Sequence, residues 1–303
     1  MTKHHQLIVV AGPTAVGKTS LAIDLAKHYQ TEIISADSRQ FYREMNIGTA
    51  KPSQEELAAV PHHFIDNLSI EDKYDAGKFA EEAESLLKDL FTKYDKLILV
   101  GGSGMYIKAL CEGFDEMPEI PEQLRTELTE AWTSGNRDGL LEELEKSDPE
   151  YFKQADLHNR QRVTRALEVI RVTGKPYSEL RKGGHKVVNK EYSIVKIGLE
   201  RDREALYHCI NSRMDQMIDE GLFEEATSLY PFRHQNALQT VGYREIFDYM
   251  DGKHDKDEAI RLLKRNSRRY AKRQMTWFKR DEGFRWFEPN QIESIISYIN
   301  TQD

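Results

Sequence analysis

The segment Gly12-Pro13-Thr14-Ala15-Val16-Gly17-Lys18-Thr19 constrains the fold of this chain more than any other stretch. It matches the phosphate-binding pattern G-x-x-x-x-G-K-[ST] without a mismatch. The apolar run Leu7–Ala11 before it predicts a buried strand, and the apolar spacing of 20–28 after it predicts an amphipathic helix. In this setting, backbone N–H groups of the loop turn towards phosphate oxygens at a helix N-terminus. We therefore predict that the whole loop binds phosphate, that Lys18 adds positive charge, and that the Thr19 hydroxyl holds a magnesium ion.

Composition indicates a soluble protein of a reducing compartment. The 303 residues suffice for one large domain or two, and their formal net charge is −8. No apolar run is long enough to cross a membrane, and Met1–Gln6 leads into the first strand without room for a signal peptide. Cys111 and Cys209 are too few for a disulfide framework or a zinc site. We expect a cytoplasmic protein with no membrane partner.

Acidic and basic residues are segregated along the chain. Residues 119–150 contain ten acids and three bases, whereas residues 261–280 contain nine bases and no acid. The second segment lies in a long helix predicted over 256–277. A stripe at helical spacing is formed there by Arg261, Lys264, Arg265, Arg268 and Lys272. Such a stripe suits a sugar–phosphate backbone, so the negative net charge does not exclude a nucleic-acid partner.

Two further predicted strands end in polar or glycine-rich loops. Residues 31–35 predict a strand that leads to Asp37, and residues 96–100 predict one that runs into Gly101-Gly102-Ser103. Because ligands bind beyond the carboxyl ends of parallel strands, we expect Asp37 and Ser103 beside the phosphate loop. Asp37 is interpreted as a magnesium ligand or a base, with capping of the next turn as the alternative. A typical ATPase carries an acid after the strand that here precedes Ser103, so its absence argues against ATP hydrolysis.

The middle of the chain has a different character. Residues 116–189 show several short helical patterns and no strand pattern, and Gly183-Gly184-His185 marks their end. We predict an all-helical insertion there, within an α/β core formed by residues 1–115 and 190–303.

Within the insertion, residues 159–170 predict a helix with a polar, cationic start. The residues concerned are Gln161, Arg162 and Arg165. Charged residues on a helix often only face solvent, but this grouping favours contacts with phosphates or bases by a modest margin.

One histidine pair and two aromatic segments are interpreted as structural. His62-His63 lacks a third ligand at a useful spacing for a metal, so we expect half-buried strand residues. Trp277-Phe278 and Phe284–Phe287 are expected to pack in the core near the C-terminus.

Six motifs in order resemble one known family. They are Gly12–Thr19, Asp37-Ser38-Arg39-Gln40 with Tyr42, Ile47–Pro52, Gly101–Tyr106, Gln161–Val169 and Val241-Gly242-Tyr243-Arg244. The chain resembles the tRNA isopentenyltransferase family, to which the bacterial tRNA dimethylallyltransferases belong. The resemblance runs from residue 7 to about 287, and the combined motifs are highly specific. Ser103 stands where many members have threonine, which keeps the hydroxyl.

The resemblance implies a P-loop NTPase-like parallel sheet and a prenyl transfer to RNA. The family transfers a dimethylallyl group from dimethylallyl diphosphate to N6 of the adenosine on the 3′ side of the anticodon in tRNA. By similarity Asp37 is the general base, Ser103 orients adenine or diphosphate, and Arg213 reaches the diphosphate from the far side. The phosphate loop and Mg²⁺ would then neutralise the departing diphosphate. The adenosine must leave the anticodon stack to reach such a site.

The resemblance also implies a set of tRNA contacts. The insertion is expected to swing over the anticodon stem-loop of a tRNA bound by a monomeric enzyme. The implied contacts are Asp37, Ser38, Arg39, Gln40, Ser103, Arg125, Gln161, Arg162, Val163, Thr164, Arg165, Gln239, Thr240, Val241, Gly242, Tyr243 and Arg244.

Three other functions are compatible with a phosphate loop. A small-molecule or nucleoside kinase would consume ATP without RNA. An RNA-binding module with the loop as a switch would bind tRNA without turnover, and a relative could act on free adenine nucleotides. The arginines of the insertion and the basic C-terminal helix favour an RNA substrate over these alternatives, although the loop could still bind ATP.

Overall fold

The computed structural model describes residues 5–113, 117–182 and 190–302, and its centre is a six-stranded parallel sheet. The strands are β1 (His5–Ala11), β2 (Ile33–Ser35), β3 (His62–His63), β4 (Lys96–Gly101), β5 (Tyr192–Leu199) and β6 (Phe284–Phe287). Their order is β3-β2-β4-β1-β5-β6, and every pair is parallel. The predicted α/β class is confirmed, and β1 lies at the point where the connections change direction.

The sheet is covered on both faces because side chains of a strand alternate between faces. Leu7, Val9 and Ala11 of β1 face one hydrophobic cluster, whereas Ile8 and Val10 face another. Such nearly continuous apolar strands are typical of a parallel sheet buried between helices.

The helices alternate with the strands in the N-terminal part, whereas they follow one another in the middle of the chain and between β5 and β6. In the N-terminal part they are α1 (Lys18–Tyr29), α2 (Gln54–Ala59), α3 (Ala76–Phe91) and α4 (Gly104–Glu112). The middle contributes α5 (Glu122–Thr133), α6 (Arg137–Ser147), α7 (Pro149–Gln154), α8 (Arg160–Thr173) and α9 (Tyr177–Lys182). The C-terminal part has α10 (Arg203–Asp219), α11 (Leu222–Leu229), α12 (Arg244–Met250), α13 (Lys256–Phe278) and α14 (Ile292–Asn300). Short 3₁₀ turns lie at Ile47–Thr49, Tyr230–Phe232 and Asn236–Leu238.

The long helices begin at aspartates whose carboxylates accept hydrogen bonds from the first backbone N–H groups. Asp75 caps α3, Asp202 caps α10 and Asp255 caps α13. The basic helix α13 therefore starts with negative charge, and its cations come later along its length.

One expectation about the C-terminal aromatic residues needs correction. The aromatic residues of Phe284–Phe287 pack in or against the core as expected, from the edge strand β6, so only the expectation for Trp277 is wrong. Trp277 does not pack in the core, because the register of α13 buries Phe278 and leaves Trp277 40% exposed.

The chain divides into two compact units. The first contains residues 1–111 and 190–303, and the second contains residues 112–189. In the described part of the second unit only helices occur, around a core of Leu128, Leu144 and Leu167. Gly183-Gly184-His185, expected to end the insertion, lies outside the described residues. Across the described ranges, the helices lack the combination of length and apolar composition that a membrane span requires.

Candidate active site

The phosphate loop connects β1 to α1. A Cβ at Gly12 would lie 2.8 Å from the backbone oxygen of Leu199, so the close approach of β5 requires glycine there. Gly17 caps α1 with φ 110°, a left-handed conformation that favours glycine. The Lys18 ammonium donates a hydrogen bond to the Pro13 carbonyl at 2.8 Å and so lies over the loop.

The electrostatics of Lys18 are those of a buried cation. Burial lowers its pKa to about 8, the carboxylate of Asp37 opposes this shift, and the guanidinium of Arg213 adds to it. An anion bound in the loop would stabilise the charged ammonium and raise the pKa again. Lys18 is therefore suited to bind a phosphate group, because the bound anion favours its charged form.

The loops after β2 and β4 are joined through two serines. The Ser38 N–H donates to Ser103 Oγ at 3.0 Å, and the Ser103 hydroxyl donates to Ser38 Oγ at 3.0 Å. A Cβ at Gly101 would lie 2.3 Å from the backbone oxygen of Ala36, so glycine lets the loops approach. Asp37 lies next to Ser38, and its Oδ1 accepts the N–H of Arg39 at 3.1 Å. The Ser103 hydroxyl thus braces the loop that carries Asp37.

Arg213 extends from α10 towards the same cavity. Its Nη2 donates to the Ala50 carbonyl at 3.3 Å, and the Gln40 amide donates to that carbonyl at 3.1 Å. Burial lowers the pKa of Arg213, and the carboxylates of Asp37 and Glu56 oppose that shift. Lys18 and Arg213 are therefore two cations in the field of a single aspartate.

The segment that accepts the Arg213 hydrogen bond is held by Glu225 of α11. Its carboxylate accepts the N–H groups of Asn46, Ile47 and Gly48 at 2.8–2.9 Å. The Tyr243 hydroxyl donates to the same carboxylate at 2.7 Å. Tyr243 is completely buried, so its side chain supports this loop, and the RNA contact expected at this position stays a prediction.

These groups line one cavity with a polar end and an apolar wall. The polar end includes Lys18, Thr19, Asp37 and Arg213. The apolar wall comprises Ile65, Val100, Ile210, Met214, Met217, Leu222 and Val241. The cavity can therefore hold a ligand with an anionic head and a short hydrocarbon chain.

Sequence reasoning missed the residues that α13 contributes. Gln274 is buried; its Oε1 accepts the Thr14 N–H at 2.9 Å, and its Nε2 donates to the Gly102 carbonyl at 2.9 Å. Tyr270 lines the cavity one turn earlier, and burial, together with the Asp37 charge, raises its pKa to about 12. Both residues share a helix face with the apolar Ala271 and Phe278. Polar residues on the apolar face of a helix are the signal that could have identified them.

The residues predicted to contact tRNA fall into exposed and buried groups. Gln239 and Arg244 are exposed, while Thr240, Val241 and Gly242 line the cavity. In the helical unit, Arg125, Gln161 and Arg162 are exposed and Arg165 is half-buried. Val163 and Thr164 are buried in that unit, and the Thr164 hydroxyl donates to the Arg160 carbonyl. The RNA contacts expected at these two residues stay predictions.

The predicted basic stripe of α13 is partly neutralised within the protein. Arg261 pairs with Glu258 at 2.6 Å, Lys264 pairs with Asp215 at 2.5 Å, and Arg268 donates to Asn211 at 2.6 Å. The cations that face solvent in the second half of the helix and just beyond it are Arg269, Lys272, Arg273, Lys279 and Arg280, and Lys279 pairs with Glu200 at 2.8 Å. The cationic surface thus lies further along the chain than the sequence pattern indicated.

The donor set of the cavity fits a magnesium ion that is held mainly by its ligand. Among the described residues, no three His, Cys, Asp or Glu side chains converge as a metal site. Thr19 and Asp37 line the polar end and offer oxygen atoms. Mg²⁺ commonly takes one or two protein oxygens and completes its shell with phosphate oxygens and water.

The histidine pair His62-His63 is interpreted from the sequence as structural. In the structure, Nε2 of the second histidine lies 2.6 Å from a carboxylate oxygen of Glu32.

Comparison with known proteins identifies the family. The IPP transferase model matches residues 40–281. The chain is 49% identical to tRNA dimethylallyltransferase 2 of Azobacteroides pseudotrichonymphae, with 95% of this chain and 94% of that protein covered. It is 48% identical to tRNA dimethylallyltransferase 1 of Bacteroides fragilis, with 97% of each covered.

Solved structures agree. The tRNA isopentenylpyrophosphate transferase of Bacillus halodurans superimposes with a TM-score of 0.73 at 39% identity, with 98% of this chain and 96% of that chain covered. A eukaryotic dimethylallyltransferase acting on tRNA gives a TM-score of 0.73 at 28% identity, covering 90% of this chain and 69% of that chain. The resemblance inferred from the motifs is confirmed, and this chain belongs to the IPP transferase family.

Proposed function

We propose that this protein transfers a dimethylallyl group from dimethylallyl diphosphate to N6 of the adenosine on the 3′ side of the anticodon in tRNA. The observation that carries the proposal is the cavity itself, whose lining combines the neighbouring cations Lys18 and Arg213 with methionine and leucine side chains. The relatives named tRNA dimethylallyltransferase support the same reaction. It requires an anion site, an apolar site and a base in one cavity, and Asp37 supplies the base.

The diphosphate is proposed to bind at the polar end. As the allylic C–O bond breaks, negative charge collects on the diphosphate oxygens, and Lys18, Arg213 and the loop N–H groups stabilise it. When bound through Thr19, Mg²⁺ would add further neutralisation of the leaving group. The cations lie in place before the reaction, so no reorganisation of solvent is needed at that moment.

Asp37 is proposed to accept the proton of the nucleophile. The N6 amine of adenine forms a bond to the terminal allylic carbon, its proton moves to the Asp37 carboxylate, and diphosphate leaves with the electrons of the C–O bond. The Arg39 N–H orients that carboxylate through its hydrogen bond to Oδ1. Ser103 supports the loop through Ser38, so its role in this chain includes positioning of the base.

The apolar wall is proposed to surround the dimethylallyl group. Met214, Met217 and Leu222 are buried and present apolar side chains to the five-carbon group. They also exclude water, which would otherwise intercept that carbon and release the free alcohol.

The RNA partner is proposed to be the anticodon stem-loop of tRNA. The target adenosine must be extruded from the loop to reach a cavity beside the sheet. Arg125, Gln161, Arg162 and Arg165 of the helical unit are proposed to contact the backbone of the stem-loop. We propose that the enzyme acts as a monomer in the cytoplasm.

Transfer of label tests this function. The full chain is incubated with Mg²⁺, radiolabelled dimethylallyl diphosphate and unmodified tRNA, with ATP as a control donor. The expected result is label in RNA that, after digestion, migrates as N6-dimethylallyladenosine, and no label in a tRNA with guanosine at the target position. Phosphate release from ATP without label in RNA would overturn the proposal.

A further inference from the structure

Trp277 is an exposed aromatic residue close to the cavity. It lies in the last turn of α13 with 40% of its surface accessible, although the large residues beside it in sequence are partly or fully buried. A single exposed apolar side chain is common and needs no explanation. The surroundings of Trp277 distinguish it from such a case.

The indole lies next to the residues that form the active site. A Cβ at Gly104 would lie 2.2 Å from Cδ1 and Nε1 of Trp277, so the ring rests against the Gly104 backbone. Gly104 follows Ser103, whose hydroxyl braces the loop that carries Asp37. Gln274, one turn of α13 earlier, lines the cavity and bonds to the phosphate loop. Trp277 therefore lies against the loop that follows β4, one helical turn from the cavity-lining Gln274, with its remaining surface in solvent.

The same helix face is cationic. Arg273 and Arg269 are exposed one and two turns before Trp277, Arg280 is exposed just after the helix ends, and residues 261–280 contain no acid. Met105, the residue after Gly104, adds a second apolar side chain that is 55% exposed. An aromatic ring surrounded by cations is the arrangement with which proteins bind single-stranded nucleic acid, since the ring stacks on a base and the cations attract the backbone.

We propose that Trp277 is a stacking platform for the unpaired base adjacent to the extruded adenosine. Extrusion removes one base from the loop stack and leaves its neighbour without a partner on that side. The indole beside the cavity replaces that partner, and the cations along α13 hold the adjoining phosphates. This inference rests on the proposed function, because it takes the extruded adenosine to lie in the cavity.

A double-mutant cycle between protein and RNA tests the platform. The partners are Trp277→Leu and an anticodon stem-loop with an abasic nucleotide on either side of the target. Affinity is measured by fluorescence anisotropy without donor, and kcat and KM are measured separately with dimethylallyl diphosphate. Each single change is expected to weaken RNA binding about 10-fold, and the two together are expected to weaken it little further. Trp277→Phe, which keeps an aromatic face, should retain part of the affinity and guards against misfolding as the cause.

Phe232→Leu is the matched control. Phe232 is 42% exposed, similar to Trp277, but lies in the 3₁₀ turn Tyr230–Phe232. Phe232→Leu should bind RNA with the affinity of the unchanged protein, and the abasic nucleotide should weaken binding by the same factor in both proteins.

Four other outcomes are informative. If the losses from Trp277→Leu and the abasic nucleotide multiply, or if Phe232→Leu gives the same coupling, the platform is refuted. If Trp277→Leu lowers kcat without changing RNA affinity, the ring only supports Gly104 and the inference is wrong. If Trp277→Leu abolishes a concentration-dependent dimer, the occupant is a second copy of the chain. If coupling is present but the unchanged protein transfers no label to RNA, the platform stands and the proposed function fails.

Discussion

The side-chain oxygen of Gln274 accepts a hydrogen bond from the Thr14 N–H at 2.9 Å, and this bond fixes the phosphate loop to α13. The amide of the same side chain donates to the Gly102 carbonyl at 2.9 Å, so one buried residue links the loops after β1 and β4. A buried side chain that satisfies two backbone groups is costly to replace, since each group loses its partner.

Replacement of Gln274 should therefore impair positioning before it impairs folding. Gln274→Met has a similar volume but loses both hydrogen bonds, and we expect a loss of about 1–3 kcal/mol in the free energy of unfolding. We also expect kcat/KM to fall by at least about tenfold, because misplaced groups lose transition-state contacts. Gln274→Glu keeps the acceptor for Thr14 but loses the donor to Gly102 and adds a negative charge to the cavity, so it should bind diphosphate no better than Gln274→Met. Equal inhibition of all three proteins by inorganic diphosphate would contradict this role.

Asp37→Asn should separate chemistry from binding. The amide keeps an oxygen for the Arg39 N–H but accepts no proton, so we expect kcat to fall by about 10²–10⁴-fold. Affinity for tRNA, measured in the absence of donor, should change little. Ser193→Ala, a change of a half-buried residue in β5, is the control for general effects on the sheet. Near-normal turnover by Asp37→Asn would remove Asp37 as the base.

Affinity for diphosphate should depend on pH through Lys18. Burial lowers its pKa to about 8, so the free protein loses this positive charge as pH rises above 8. A bound diphosphate favours the charged form, and binding near pH 8 should therefore take up a proton. We expect the dissociation constant to rise by up to about tenfold per pH unit above 8, as one ionisation allows. Calorimetry in buffers of different ionisation enthalpy measures the proton uptake.

Lys18→Met provides the control for that titration, because it removes the ionising group but leaves the ionisation of diphosphate itself. The difference between the two proteins isolates the contribution of Lys18. A pH dependence that is identical in both would show that another group is responsible.

Met217 should limit the length of the hydrocarbon chain. It is buried in the apolar wall, and Met217→Ala should enlarge the cavity at a cost of about 2–5 kcal/mol in stability. We expect kcat/KM for a ten-carbon allylic diphosphate to rise relative to the five-carbon donor. Leu229→Ala is a matched change in the same hydrophobic cluster, but Leu229 does not line the cavity. A similar shift in donor preference for both variants would show that destabilisation, and not space, is the cause.

The sequence predicted the parts of the site that depend on local patterns. The phosphate loop, its flanking strand and helix, and the loop carrying Asp37 follow from apolar periodicity, glycine positions and the geometry of parallel sheets. The structure brings Asp37 and Arg213 to the same cavity. Without the family resemblance, Arg213 would have been taken for an exposed, paired arginine.

The errors arise where tertiary packing decides. The sequence pattern of α13 indicates its cations but not the role of Gln274. Only the packing of α13 against the loops that follow β1 and β4 shows which face of the helix is buried. The same register exposes Trp277, which its aromatic character had suggested would be buried. Tyr243 belongs to a motif of the family, yet its hydroxyl donates a hydrogen bond to Glu225 and its ring packs against the loop at 46–48. Motif membership alone does not distinguish a ligand contact from support of a loop.

The bond between Thr14 and Gln274 spans 260 positions of the chain. When the first hundred residues have emerged from the ribosome, the whole phosphate-binding motif is present. The helix α13, which holds the motif in place, has not yet been synthesised. Contacts between residues so far apart in the sequence form late, because the chain must lose the entropy of closing a long loop before the contact stabilises the fold. We expect the nascent protein to be unable to bind its donor until α13 has emerged, and fragments that end before that helix to be inactive even when β1 to β5 have paired.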